Sequence, residues 1–182
     1  ALLVFLFAFS VPAFANPVDD VKFMTEEYPP FNMAGHDGVP TGFAVDMLVE
    51  MFSRTGSSLS AKDVKILPWA RGMREVQGVP NTCLFSMTRT DERKPLFKWV
   101  GPLYTSSFDA IALKEKRLKA ENADALKTFV AGVVRDDMGD KLVTEAGISS
   151  VERVASHKNN VRKLEEGRID FIVFNLGSLK LL

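Results

Sequence analysis

The sequence predicts an α/β fold in two lobes, with parallel strands joined by right-handed crossovers. Three observations predict it. Short apolar runs bounded by turn residues alternate with segments whose apolar residues recur every three or four positions. The polar clusters of the chain follow directly on those apolar runs, where open α/β sheets carry their ligand sites. Across residues 104–116 the chain changes character, as expected of an extended connection between lobes.

Residues 1–15, ALLVFLFAFSVPAFA, are an apolar run ending in Ala13-Phe14-Ala15, the small-x-small pattern of an export signal, which places cleavage after Ala15. A membrane-spanning helix needs about 20 apolar residues, and Asn16, Asp19 and Asp20 arrive too soon for one. The mature protein is therefore expected in the periplasm. The first residue is Ala rather than Met and no basic residues precede the apolar region, so the amino end reads as a fragment. The other end, FIVFNLGSLKLL, stops just after a strong strand, and truncation is expected there as well.

The first lobe is expected over residues 16–106. Residues 21–24 read as a strand, followed by the Pro-rich loop EEYPPFNMAGHDGVP. Thr41 is placed to cap a helix whose apolar face is Phe43, Met47, Leu48, Met51 and Phe52 and which stops at Gly56. Residues 64–67 form a second strand. Pro68 opens the next helix, where its missing N–H costs nothing, and Trp69, Met73 and Val76 form the face. Residues 82–87 are the third strand.

The second lobe is expected over residues 107–182. Residues 108–113 read as a strand, and the charged stretch KEKRLKAENADALK as a surface loop and helix. A strand at 129–134, helices near 139–146 and 160–166, and a strand at 170–174 complete the alternation.

Composition limits the function. The 182 residues are 46% hydrophobic and 25% charged, which is globular rather than disordered. Lys+Arg and Asp+Glu stand at 23 each, so the basic footprint of a nucleic-acid binder is absent and a small partner is expected. Cys83 is the single cysteine, read as a buried inert thiol with no disulfide. His36 and His157 lie in polar surroundings with no Cys or His at ligand spacing, so both read as solvated and no metal is expected. No Gly-rich phosphate loop or nucleophile elbow is present, and no cofactor is expected. The acidic pairs Glu26-Glu27, Asp136-Asp137 and Glu165-Glu166 are sequence neighbours whose side chains diverge, so adjacency does not make a catalytic pair.

Five polar clusters follow predicted strands: residues 28–32, 69–71, 86–93, 135–139 and Asn175. The densest is SMTRTDERKPLFKWVGPLY, which sets Thr88, Arg89, Thr90 and Arg93 just after the run Cys83-Leu84-Phe85. A turn returning the chain to solvent needs no such cationic side chains. A guanidinium placed there suits a planar carboxylate.

In order, TGFAVDMLVEM, PWARGMREVQ, SMTRTDERKPLFKWVGPLY and VVRDDMG resemble the family 3 bacterial extracellular solute-binding proteins, periplasmic receptors of polar amino acid ABC importers. The resemblance runs from about residue 21 to 175, and Thr90-x-x-Arg93 with Trp99 and Gly101-Pro102 is its most specific part. It implies a two-lobed periplasmic binding protein-like (type II) fold that closes on its ligand like a hinged clamp, with no catalysis. The resemblance assigns Arg93 to the ligand carboxylate and Thr88 to the ligand's α-substituents. Ser86 stands where the family usually has Gly with a free carbonyl. Phe31 and Trp69 match aromatics that wall the pocket, and Arg135 and Gly139 match a basic residue and a backbone donor in the second lobe. Simpler roles stay open beside these: packing for Phe31 and Trp69, lobe-surface charge for Arg135 and Arg89, and a helix start for Asp46.

The implied partners are a small polar carboxylate, an amino acid in the first instance, and an inner-membrane ABC permease. Two departures qualify this. Asn175 stands where amino-acid receptors usually carry an ammonium-pairing Asp, and a neutral amide cannot neutralise an ammonium in a desolvated cleft. Arg71, Arg89 and Arg135 bring further positive charge, which admits an acidic amino acid or another carboxylate. Secondly, roughly a quarter of such a domain is missing after Leu182, so the second lobe and its return to the first are expected to be incomplete. A ligand-sensing input domain of a signalling protein is the alternative. An enzyme on the same fold comes third, with Asp137 the one candidate acid.

Overall fold

The computed structural model describes residues 16–175. The export signal read at residues 1–15 and the tail beyond Asn175 lie outside the described residues. Within them, β1 (Lys22–Thr25) leads through a short hairpin of two-residue strands, β2 (Met33–Ala34) and β3 (Pro40–Thr41), into α1 (Phe43–Thr55). Then come β4 (Lys65–Ile66), α2 (Trp69–Gly78) and β5 (Thr82–Leu84). These three longer-range strands form a parallel sheet in the order β4-β1-β5. The second sheet takes β6 (Asp109–Ile111), β7 (Ala131–Val134), β8 (Val151–Val154) and β9 (Phe171–Phe174), with α3 (Met138–Glu145) and α4 (His157–Glu165) between them. Its order is β6-β9-β7-β8, parallel except for β6 against β9.

β7 and β9 are buried along their whole length, which is why they read as unbroken apolar runs, AGVV and FIVF. The first core gathers Phe23, Val45, Phe52 and Phe85, with the Phe23 and Phe52 rings edge to face at 4.9 Å. The second gathers Ala131, Val143, Phe171 and Val173. Two further clusters join one sheet to the other: Met24, Trp69 and Leu84 pack with Val134, and Tyr28 packs with Leu164, Ile172 and Phe174. The two sheets are therefore closed on one another at their strand ends.

Four expectations are corrected. The cap of α1 is Gly42, not Thr41, which pairs in β3. Gly42 has φ +114°, and a Cβ there would stand 2.6 Å from the Pro30 carbonyl oxygen, so the chain turns into α1 only through glycine. The buried stripe of α1 is Ala44, Val45, Leu48 and Phe52, while Phe43 and Met47 are 49% and 37% exposed. The third strand ends at Leu84, three residues early, because the chain bends at Ser86 with φ +62°. Finally, β8 was not anticipated: Glu152 and Arg153 interrupt its apolar residues, and it occupies the edge of the sheet, where charges are tolerated and discourage further pairing.

Candidate functional site

All five polar clusters lie at the carboxyl ends of strands, after β1, β4, β5, β7 and β9. The strand ends of the two sheets meet at Arg93. The Thr90-x-x-Arg93 turn is tied by two bonds: the Arg93 N–H donates to Thr90 Oγ1 at 3.2 Å, and the Lys94 N–H to the Thr90 carbonyl at 2.8 Å. This turn sends the Arg93 side chain inward, where it is only 9% exposed. Nη1 donates to the Thr88 carbonyl at 3.2 Å, and Nη2 crosses to the other sheet to donate to the Asp136 carbonyl at 3.1 Å. The guanidinium carbon also lies 5.3 Å from the centre of the Trp69 ring, within cation–π range.

Trp69, the first residue of α2, donates from Nε1 to the same Asp136 carbonyl at 2.7 Å. Asp136 holds φ +61°, a conformation that Asp adopts more readily than most residues and that turns its carbonyl toward both donors. Asp137, next in the chain, caps α3: its Oδ1 accepts from the Asp140 N–H at 2.7 Å. Its Oδ2 faces Nε2 of His157 at 3.5 Å.

The electrostatics of this junction are acidic. Burial pushes the Asp137 carboxyl up to about 7, against the Asp140 N–H bond and Arg93, which favour its charged form. Half-buried Glu26, just after β1, is pushed up to about 8 by burial and by the Asp137 charge, with Arg93 opposing. Burial lowers His157 to about 3, so its imidazole is neutral at ordinary pH. Arg93 is itself lowered by burial, and Asp137 and Glu26 oppose that shift.

Phe31 is half-buried and stacks between Tyr104 (4.2 Å, 5° between planes) and Tyr28 (5.5 Å, 19°), making an aromatic wall after β1. Gly139 lets α3 approach β9: a Cβ there would meet the Val173 carbonyl at 2.8 Å. Thr88 and Ser86 lie on the same bend as Arg93, Thr88 through its carbonyl. Asn175 is half-buried and donates from Nδ2 to the Ser107 carbonyl at 3.1 Å, tying the end of β9 to the segment before β6.

The structure thus brings Trp69, Thr88 and Arg93 into one network with the turn after β7. It does not bring in the extra positive charge. Arg135 is exposed, Arg71 pairs with Glu75 at 3.1 Å on the solvent face of α2, and exposed Arg89 lies over the Trp99 ring at 5.8 Å. Their positions one or two residues beyond a strand end or helix start turn them outward. His157 is likewise corrected: it is 3% exposed and stacks on Phe174 at 3.8 Å, rather than being solvated. Sequence reasoning missed Glu26 and His157. Glu26 directly follows β1, so the strand-end rule applied two residues earlier would have included it, and His157 follows the unrecognised β8.

Cavities of about 370 and 500 Å³ lie elsewhere, one lined by Ala112, Arg117 and Leu126 and the other by Asp37, Thr41 and Asp46. Among the described residues no group of three or more His, Cys, Asp or Glu side chains could hold a metal ion, and no helix is long and apolar enough to cross a membrane.

Comparison with known proteins agrees with this architecture. Residues 21–144 match the family described as bacterial extracellular solute-binding proteins, family 3. The L-arginine-binding protein of Pseudomonas aeruginosa is 29% identical over 178 residues, covering 94% of this chain and 66% of that protein. The L-cystine-binding protein TcyJ of Escherichia coli K12 is 29% identical over 107 residues, 58% of this chain and 39% of that protein. The chain thus spans less than two thirds of these relatives. An ancestral arginine-binding protein solved with arginine superposes with a TM-score of 0.76 at 20% identity, over 88% of this chain and 72% of that one, a likeness of fold.

Proposed function

Because the chain belongs to the family 3 bacterial extracellular solute-binding proteins, we propose that it is a receptor that captures a small polar carboxylate, an amino acid in the first instance, between its lobes and delivers it to an ABC importer. We take residues 16–106 as the first lobe and those from 107 as the second. The observation that carries this reading is Arg93: a buried guanidinium at the junction of the two sheets, with one donor on each. The ligand carboxylate takes the Nη2 donor now given to the Asp136 carbonyl, a charge-assisted bond replacing a neutral one.

In this reading Phe31 and Trp69 wall the ligand, Thr88 and Ser86 hold it from the first lobe, and the backbone at Gly139 meets it from the second. Asn175 accepts from its ammonium, and Arg135 stands at the rim. Closure follows from the ligand touching both lobes at once: it favours the closed state by its differential affinity for that state. Residues 1–15 serve as the export signal and place the receptor in the periplasm, where the permease meets its closed form. The arginine- and cystine-binding relatives support an amino acid as ligand.

A thermal-shift panel of amino acids on the complete protein tests this. A true ligand at 100 times its Kd stabilises by about 2.7 kcal/mol. We expect such a shift for at least one amino acid and its loss in Arg93→Ala. A folded protein that responds to no amino acid overturns the reading.

A further inference from the structure

An ion pair on the outer side of the sheet junction points to a conformational device. We propose that Glu92 and Lys141 form a salt-sensitive latch that holds the two sheets closed on one another and lets them part without stranding a charge. From the receptor reading the inference takes only that the two sheets hinge.

Glu92 belongs to the turn after β5, and Lys141 to α3, which packs through Val143 on Ala131 and Phe171 of the second sheet. Glu92 Oε1 and Lys141 Nζ stand 2.7 Å apart. Among the described residues this is the one ion pair that joins a segment of the β4-β1-β5 sheet to a segment of the β6-β9-β7-β8 sheet. Both partners are positioned by bonds of their own segments. Glu92 directly precedes Arg93, inside the turn that Thr90 fixes by accepting from the Arg93 and Lys94 N–H groups. Lys141 lies one helical turn beyond Asp137 and donates its backbone N–H to the Asp137 carbonyl at 3.2 Å, so both side chains leave the same face of α3. The pair thus flanks the hydrogen bonds that Arg93 and Trp69 give to the Asp136 carbonyl.

Where each charge goes on opening makes this a latch and not a staple. Lys141 Nζ also lies 2.7 Å from Glu145 Oε1 on its own helix, so the ammonium keeps a carboxylate when the sheets part. The Glu92 side chain is 71% exposed, and its carboxylate returns to water at little cost. A buried ion pair has no such exit, because parting it strands both charges. An exposed pair shifts an equilibrium by about two- to fivefold, enough to bias a hinge and too little to freeze it. Salt weakens such a pair, since the screening length falls to about 3 Å at 1 M. A ligand held by Arg93 acts on the residue next to Glu92, so binding and latching favour the same state.

The experiment measures the distance across the hinge in the complete protein without ligand. Pulsed electron double resonance reads it between spin labels at Arg74→Cys on α2 and Glu165→Cys on α4, both exposed, in a Cys83→Ala background. This parent, Glu92→Gln, Lys141→Met and Glu145→Gln are compared at about 50 mM and about 1 M salt. We expect the closed-to-open ratio of the parent to fall about two- to fivefold at high salt. Glu92→Gln and Lys141→Met should show the lower ratio already at low salt and lose the salt response, whereas Glu145→Gln should keep it. Small-angle X-ray scattering of the unlabelled proteins makes the same comparison through the radius of gyration, independent of the Cys83 substitution. Ratios in Glu92→Gln and Lys141→Met equal to the parent's at low salt overturn the inference, and so does a single unchanging distance in every sample. The amino-acid panel decides the receptor reading separately: a folded protein that shows these shifts and answers no amino acid keeps the latch and loses the receptor.

Discussion

The Trp69 indole of one sheet and the Asp136 carbonyl of the other are joined by a 2.7 Å hydrogen bond, to which Arg93 adds a second at 3.1 Å. One backbone oxygen just after β7 thus receives two donors from the segments that follow β4 and β5. The contact depends on Asp136 holding φ +61°, since an extended residue there would turn the carbonyl away.

Trp69→Phe removes one of these bonds and keeps most of the ring. A neutral hydrogen bond contributes about 0.5–1.5 kcal/mol, and the Arg93 bond keeps the carbonyl satisfied, so the loss should fall in that range. Urea unfolding read by far-UV circular dichroism should show a lower midpoint with an unchanged slope. A loss above about 3 kcal/mol would mean that the ring, not the bond, holds the lobes.

Gly42→Ala should be among the most damaging single substitutions around the β4-β1-β5 sheet. The φ of +114° and ψ of 166° lie in a region essentially restricted to glycine, and the new methyl would meet the Pro30 and Phe31 carbonyl oxygens at 2.6 and 2.7 Å. We expect more than about 2 kcal/mol of destabilisation, and a thermal midpoint within a degree of the parent would refute the assignment.

Arg93→Lys tests whether a point charge suffices. Lysine keeps the charge but lacks the planar fork that reaches Thr88 and Asp136 together, and it loses the stacking over Trp69. Amino-acid affinity should fall at least about tenfold while the fold survives, and undiminished binding would exclude a forked contact to the carboxylate.

The sequence was readable where burial is one-sided or complete. AGVV and FIVF could hardly be anything but interior strands, and the Trp69, Met73 and Val76 stripe of α2 packs as its spacing indicates. Legibility failed where context decides. The apolar arc of α1 is wider than the face it buries, and Phe43 turns outward against Phe31 and Tyr104, which no periodicity reveals. β8 places two adjacent charges, Glu152 and Arg153, between valines at a sheet edge, so it shows neither an apolar run nor a clean alternation. Arg93 was found because a motif marks it. Glu26, Asp137 and His157 come from three different strand ends, and only the closure of the two sheets makes them neighbours.

That convergence fixes the pH dependence of stability, with signs that can be worked out. Glu26 and Asp137 have folded-state values raised to about 8 and about 7, so the folded state binds their protons more tightly than the unfolded chain does. Their contribution is fully present below the unfolded carboxylate range and is lost as pH rises through those values. His157, lowered to about 3 in the fold, acts in the opposite sense: its contribution grows as pH rises from about 3 to its unfolded value near 6.5, then stays constant. Between pH 4 and 6.5 the terms oppose each other. From 6.5 to 8 only the carboxyls act, so stability should fall there, no more steeply than about 1.4 kcal/mol per pH unit for each carboxyl. Urea midpoints at pH 6.5, 7.2 and 8.0 measure this directly, and Glu26→Gln should flatten the upper half of the window. A midpoint that stays flat across the same window would show that both carboxyls are already ionised in the folded protein.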